Sequence, residues 1–152
     1  MCGIAGIISK KSPVEEGKLE EMIWSIRHRG PDDFGFHKTR FAHIGMSRLS
    51  IIDLKSPNLC PLVYKKETGG VVVLTYNGEI YNYVELKKEL ESLGHRFDTT
   101  SDSEVLLHCY LQWGDMCLEK LNGMFAFAII DFDKDVLFAG RDRAGEKPFY
   151  YY

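Results

Sequence analysis

Position 2 of this chain is a cysteine, in Met1-Cys2-Gly3-Ile4-Ala5-Gly6. An initiator methionine is commonly removed before a small residue, which would leave one residue carrying both a thiol and an α-amine. An α-amine titrates at about 7.7–8.0 and a free thiol at about 8.5, so the two are matched for proton transfer near neutral pH. The plainer alternative is a chance buried cysteine, which is usually inert. A second candidate lies in Tyr76-Asn77-Gly78-Glu79, where a strand-like run ends in Asn-Gly. That dipeptide favours a hairpin turn. It also supplies an amide side chain and a following backbone N–H, two donors that can converge on one developing negative charge. Arg48 sits in the largely apolar Ser47-Arg48-Leu49-Ser50-Ile51-Ile52-Asp53 and needs a partner there. The partner is either an acid such as Asp53 or Asp142, or the carboxylate of a ligand gripped by both arms of the guanidinium. Ser101-Asp102-Ser103 reads as a helix cap with its acid well placed in the helix dipole, or as an acceptor for a ligand ammonium group. Arg141-Asp142-Arg143 reads as a structural charge network.

These groups must be positioned by elements legible from periodicity. Gly3 to Ile8 suits a strand, with glycines at 3 and 6 that would let backbone approach a ligand closely. Ser12-Pro13-Val14-Glu15 has the marks of a helix start, and Leu19, Met22, Ile23 and Ile26 follow at helical spacing as one buried face. Arg29-Gly30-Pro31-Asp32 stops that helix. Phe41 to Leu49 and Val71 to Tyr76 read as strands. Asn82-Tyr83-Val84-Glu85 opens a second helix with a capping pair, lined by Leu86, Leu90 and Leu93 and ended by Gly94. Ser101 to Glu104 opens a third, with Leu106, Cys109, Tyr110 and Trp113 on one stripe and Gly114 behind it. Asp115 to Leu121 allows a further short helix. Phe125 to Ile130 is apolar at every position, so that strand should be covered on both faces. Asp133-Lys134 turns into Val136 to Ala139, and Phe149 to Tyr152 reads as a last strand in which the chain stops. Strands at both ends with helices between them predict a layered α+β domain.

Composition narrows the function classes. The 152 residues are 45 % apolar and 27 % charged, the proportions of one globular domain. The net charge of −3 offers no broad electrostatic footprint for nucleic acid or an anionic membrane. The longest apolar run, Met124 to Ile130, is far short of the roughly 20 residues of a membrane helix. No basic residue precedes the short apolar stretch at the start, so it does not read as a secretory signal. The four cysteines form no CxxC pair and no dense disulfide framework, and the simplest setting is a reducing, cytoplasmic one. Neither the cysteines nor the five histidines fall at zinc-ligand spacing.

Taken together, Met1-Cys2-Gly3-Ile4-Ala5-Gly6, Arg27-His28-Arg29-Gly30-Pro31-Asp32, Arg48-Leu49-Ser50-Ile51-Ile52-Asp53, Tyr76-Asn77-Gly78-Glu79-Ile80-Tyr81-Asn82, Ser101-Asp102-Ser103-Glu104, Gly123-Met124-Phe125-Ala126-Phe127 and Gly140-Arg141-Asp142-Arg143 resemble, in order and across essentially the whole chain, the glutamine-hydrolysing domain of asparagine synthetases. That domain is a class II glutamine amidotransferase with an N-terminal nucleophile. The Arg-Gly-Pro-Asp element is more similar to the asparagine synthetase branch than to the purine or hexosamine amidotransferases. The resemblance implies a four-layer αββα sandwich, here truncated at its C-terminal end, with residues 1–152 forming the glutaminase domain. It implies that Cys2 attacks the side-chain amide of L-glutamine and that Asn77 and the Gly78 N–H form the oxyanion hole. Arg48 matches the residue that holds the α-carboxylate, Glu79 and Asp102 match the acids around the α-amine, and Arg48, Leu49, Ser50, Ile51 and Ile52 match the stretch lining the pocket. The base role falls to the α-amine of processed Cys2.

The resemblance further implies hydrolysis of glutamine to glutamate and ammonia through a γ-glutamyl thioester, with the ammonia serving asparagine synthesis in a full-length enzyme. No Ser-Gly-Gly-x-Asp-Ser type loop occurs, so the ATP-dependent synthetase domain is expected as a missing C-terminal partner. ATP and Mg belong to that domain, and no cofactor or metal is expected in this one. A homodimer is an open expectation. The alternatives are a non-catalytic glutamine-binding or interaction module on the same fold, an amidotransferase with a non-aspartate acceptor, and an N-terminal-nucleophile amidase for another amide.

Overall fold

A computed structural model describes residues 1–53 and 59–152. Among the described residues, seven strands build two antiparallel sheets. β1 (Gly3–Ile8), β2 (Asp33–Lys38) and β3 (Ala42–Arg48) form the first, in the order β1-β3-β2. β4 (Leu62–Lys65), β5 (Val71–Ile80), β6 (Gly123–Asp131) and β7 (Val136–Arg141) form the second, in that order. The outer face of the first sheet is covered by α1 (Lys18–Ser25), which buries Leu19 and Ile23. The outer face of the second is covered by α2 (Tyr83–Ser92) and α3 (Asp102–Trp113), with the short α4 (Cys117–Lys120) completing the layer. The predicted four-layer αββα arrangement is therefore the fold.

Strand alternation divides the core in two. Val72, Leu74 and Tyr76 of β5 and Phe125, Phe127 and Ile129 of β6 turn toward the helices and join Leu86, Leu90, Leu106 and Leu107. The intervening Val73 and Ile130 turn inward and meet Ala42 and Ile44 of β3. β6 is thus covered on both faces, as its unbroken apolar run predicts.

Several expectations fail locally. The first helix starts at Lys18, behind Gly17 at φ +86°, and not at Ser12. The Val14 N–H is committed to the Arg40 carbonyl at 3.0 Å, which ties this stretch to the β2–β3 turn and away from helical bonding. Met22 is exposed and does not share the buried face of Leu19 and Ile23. Asn82 precedes α2 but does not cap it. Its amide donates to the Lys120 carbonyl at 2.9 Å, and its oxygen accepts the Asn122 N–H at 3.0 Å, stitching α2 to the start of β6. Leu93 lies exposed at the end of α2. Gly3 is tight against the Ser47 hydroxyl and the Ile26 side chain. Phe149 to Tyr152 forms no strand, because these residues find no ladder partner among the described residues, and Tyr151 is 94 % exposed. No described helix is long and apolar enough to cross a membrane.

Candidate active site

Asn77-Gly78 is not a turn. β5 runs through it to Ile80, paired with β6 down to Ile80↔Gly123. β4 follows β5 only as far as Leu74, so β4 leaves the other edge of β5 uncovered beyond that residue. Which groups use that edge follows from the ladder. The Phe125 N–H goes to Asp142 Oδ2 at 3.2 Å and the Phe125 carbonyl accepts the Asp142 N–H at 2.8 Å, so both point away from β5. Gly78↔Phe125 is then a non-hydrogen-bonded pair, and the Gly78 N–H faces the edge that β4 leaves open. Two residues on, the Ile80 N–H points the same way and is taken by Asp102 Oδ2 at 3.0 Å. Glycine is required at 78 because β6 crosses closely: a Cβ there would lie 2.7 Å from Phe125 Cα and overlap the Met124 carbonyl. The side chain of Asn77 projects to the opposite face, toward the first sheet. It is only 4 % exposed and makes no hydrogen bond among the described residues.

Cys2 immediately precedes β1, whose first rungs are Gly3↔Ser47 and Ile4↔Met46. Its Sγ accepts the Leu49 N–H at 3.4 Å and donates to the Leu49 carbonyl at 3.7 Å. The Cys2 carbonyl is held by Arg29 Nε at 3.1 Å. Burial pushes the Cys2 thiol above its ordinary range, against the pull of the Leu49 N–H and of Arg48. The thiol therefore needs a base to become a nucleophile near neutral pH.

Arg48 closes β3 and turns its guanidinium onto its own loop, with Nη2 2.7 Å from the Asp53 carbonyl and 3.4 Å from that of Ile52. Asp142 is not its partner. That carboxylate accepts the N–H groups of Phe125, Glu146 and Lys147. Arg141 likewise donates to backbone carbonyls, those of Lys147 and Gly145, so the expected charge network is a hydrogen-bonded loop. Asp102 is the first residue of α3, capped by Ser101 through the Ser103 N–H. It is buried and accepts the Tyr76 hydroxyl at 2.7 Å as well as the Ile80 N–H. Burial raises the Asp102 carboxyl above the usual range, only partly opposed by these bonds.

One cavity gathers these groups. Cys2, Arg48, Leu49, Ile51, Ile52, Asn77, Gly78, Glu79 and Asp102 all line it. Ser50 does not: its N–H is spent on Asp32 Oδ2 at 2.8 Å. Sequence reasoning passed over Tyr76, Ser101, Ser103 and Lys147, which also line the cavity. Tyr76 opens the Tyr76-to-Asn82 motif, which is the sequence signal for it. Lys147 had none, since nothing local marks it as buried. Among the described residues, no group of three or more His, Cys, Asp or Glu side chains could hold a metal ion.

A glutamine amidotransferase domain family matches residues 1–152. The chain belongs to the glutamine amidotransferase domain family. Within full-length proteins, this glutamine amidotransferase domain is 44 % identical over 159 residues to an asparagine synthetase [glutamine-hydrolyzing] 3 of Bacillus subtilis, covering 99 % of the chain and 25 % of that protein. It is 39 % identical over 167 residues to a putative asparagine synthetase [glutamine-hydrolyzing] 2 of Methanocaldococcus jannaschii, covering 100 % of the chain and 32 % of that protein. The domain thus spans a quarter to a third of the length of these relatives. Its fold is shared with the glutamine phosphoribosylpyrophosphate amidotransferase of B. subtilis, at a TM-score of 0.72 and 23 % identity over 86 % of this chain and 35 % of that one.

Proposed function

We propose that this domain hydrolyses the side-chain amide of L-glutamine to glutamate and ammonia. The observation that carries the reading is the convergence of Cys2, Asn77, Gly78, Arg48 and Asp102 on one cavity. The α-amine of Cys2, once Met1 is gone, takes the thiol proton. Sulfur attacks the carboxamide carbon, and the carbonyl oxygen becomes an oxyanion between the Asn77 amide and the Gly78 N–H. Collapse breaks the C–N bond, the nitrogen takes the proton back, and ammonia leaves a γ-glutamyl thioester. Water, deprotonated by the same amine, cleaves it to glutamate and restores the thiol. The raised thiol explains why a base is wanted, and the unspent donors at Asn77 and Gly78 are what an oxyanion would use.

Substrate orientation follows from charge. Arg48 offers guanidinium N–H groups to the α-carboxylate, and Asp102 with Glu79 offers carboxylates to the α-ammonium. The ammonia serves asparagine synthesis in a longer chain, where ATP and Mg act on the acceptor side. That reading rests on the asparagine synthetase relatives. The test is a glutamate-release assay coupled to intact-mass measurement. Protein beginning at Cys2 should turn over glutamine, while Cys2→Ala and uniformly Met1-retained protein should not. Full activity from Met1-retained protein would refute the amine as base. Glutamine binding without any turnover by the Cys2-initiated form would favour a non-catalytic module.

A further inference from the structure

Lys147 is 6 % exposed, lines the same cavity as Cys2 and Gly78, and joins no ion pair among the described residues. Its Nζ donates to a thioether, Met1 Sδ, at 3.3 Å. Sulfur of this kind is a weak acceptor, and removal of Met1 takes even that partner from the ammonium. A surface lysine would relieve this by swinging outward, but the backbone here is held from both sides. Asp142 Oδ2 grips the Lys147 N–H at 3.0 Å, and Arg141 Nε grips its carbonyl at 2.7 Å. The same Asp142 oxygen holds the N–H of Phe125, the ladder neighbour of Gly78. Lys147 is therefore anchored one strand away from Gly78, and its Nζ reaches the residue preceding Cys2. Cys2, Gly78 and Lys147 all line the one cavity. Arg48 reaches instead to the loop carbonyls of Ile52 and Asp53.

We propose that Lys147 is a second charge-reading residue of the cavity, binding oxygen of the ligand's acyl group: the γ-carboxylate of product glutamate and the developing oxyanion, where Arg48 binds the α-carboxylate. The inference rests on the glutaminase reading. A neutral carboxamide gains little from a cation, whereas a γ-carboxylate gains a charge-assisted bond. Lys147 thus separates product from substrate affinity.

The experiment measures KM for L-glutamine and the inhibition constant of L-glutamate for the Met1-processed protein. It compares wild type, Lys147→Met, which keeps the aliphatic stem, and Lys147→Arg. In Lys147→Met the glutamate constant should rise tenfold or more, with KM moving less than threefold. Lys147→Arg should restore most of the difference. Glutamate and glutamine weakening together, or neither moving, overturns the proposal, as does a Lys147→Met chain that no longer folds. A wild type without glutaminase activity would sink the underlying reading, an outcome distinct from unchanged product inhibition in an active enzyme.

Discussion

Asn77 makes no hydrogen bond among the described residues although it is buried, and this separates its effect on rate from its effect on stability. Truncating it loses no internal bond, so Asn77→Ala should leave the denaturant midpoint close to or above that of wild type. Its kcat should fall about 10²–10³-fold, the cost of about 2.7–4 kcal/mol for one oxyanion donor, with KM little changed. A correctly folded Asn77→Ala within a few-fold of wild-type kcat would show the amide to be a bystander. Arg48 behaves differently, because its guanidinium already holds the Asp53 carbonyl at 2.7 Å. Arg48→Ala should raise KM for glutamine about 10–100-fold, from a lost charge-assisted bond of about 1.5–3 kcal/mol. Arg48→Lys should recover only part, since an ammonium has no fork with which to hold a carboxylate and the loop carbonyls together. Steady-state kinetics on both variants checks this, and wild-type KM in Arg48→Ala would remove the assignment.

At the scale of elements, the site is made by a mismatch in strand length. β5 is ten residues long and β4 only four, so β5 outruns β4 and its N–H groups on that side beyond Leu74, among them those of Gly78 and Ile80, have no partner in β4. α3 delivers Asp102 to that of Ile80, leaving that of Gly78 for the cavity. The approach of β6 on the other side depends on the missing side chain at Gly78. Gly78→Ala should therefore push the two strands apart, costing about 1–3 kcal/mol as overpacking in a dense region does. A urea midpoint lowered together with kcat is the expected result. An unchanged midpoint would mean that β6 yields without cost.

The whole molecule carries buried carboxylates of both signs of effect. Asp131 and Asp142 are pushed up by burial, but Lys66 in one case and backbone N–H groups of Lys147, Glu146 and Phe125 in the other hold them below the ordinary range. Their contribution is present above the unfolded value and is lost as pH falls. Asp102 runs the other way, because burial raises it above the unfolded value of about 3.9. Between that value and its own folded one, the native state binds more protons than the unfolded chain, so its contribution falls as pH rises. Asp102→Asn removes that slope. The stability of the variant relative to wild type should climb with pH from about 4 through the folded Asp102 value and then level off. Urea unfolding of both proteins across this range tests it, and parallel curves would show that Asp102 does not titrate there. At pH 7 the same variant should bind glutamine at least tenfold more weakly, because a neutral amide cannot pair with the α-ammonium.

What the sequence determined by itself is local or collective. Alternation and apolar runs placed β1, β3, β6 and β7. Ser101 and Gly114 marked the ends of α3, and seven ordered motifs were enough to indicate the family and the layered fold. The residues named for the site also met in one cavity, Ser50 excepted. What only the tertiary structure decided depends on partners distant in the chain. Asn77-Gly78 has the composition of a turn, yet Met124 to Ala126 of β6 hold it in a strand. Phe149 to Tyr152 has the composition of a strand, yet no described neighbour offers it a ladder. Lys147 is buried where Asp142, which also holds the Phe125 N–H, ties its backbone over the end of β6 and Met1 meets its ammonium. Strand pairing and the burial of a charge are bonds between segments, and a propensity read along the chain holds no record of which segments will meet.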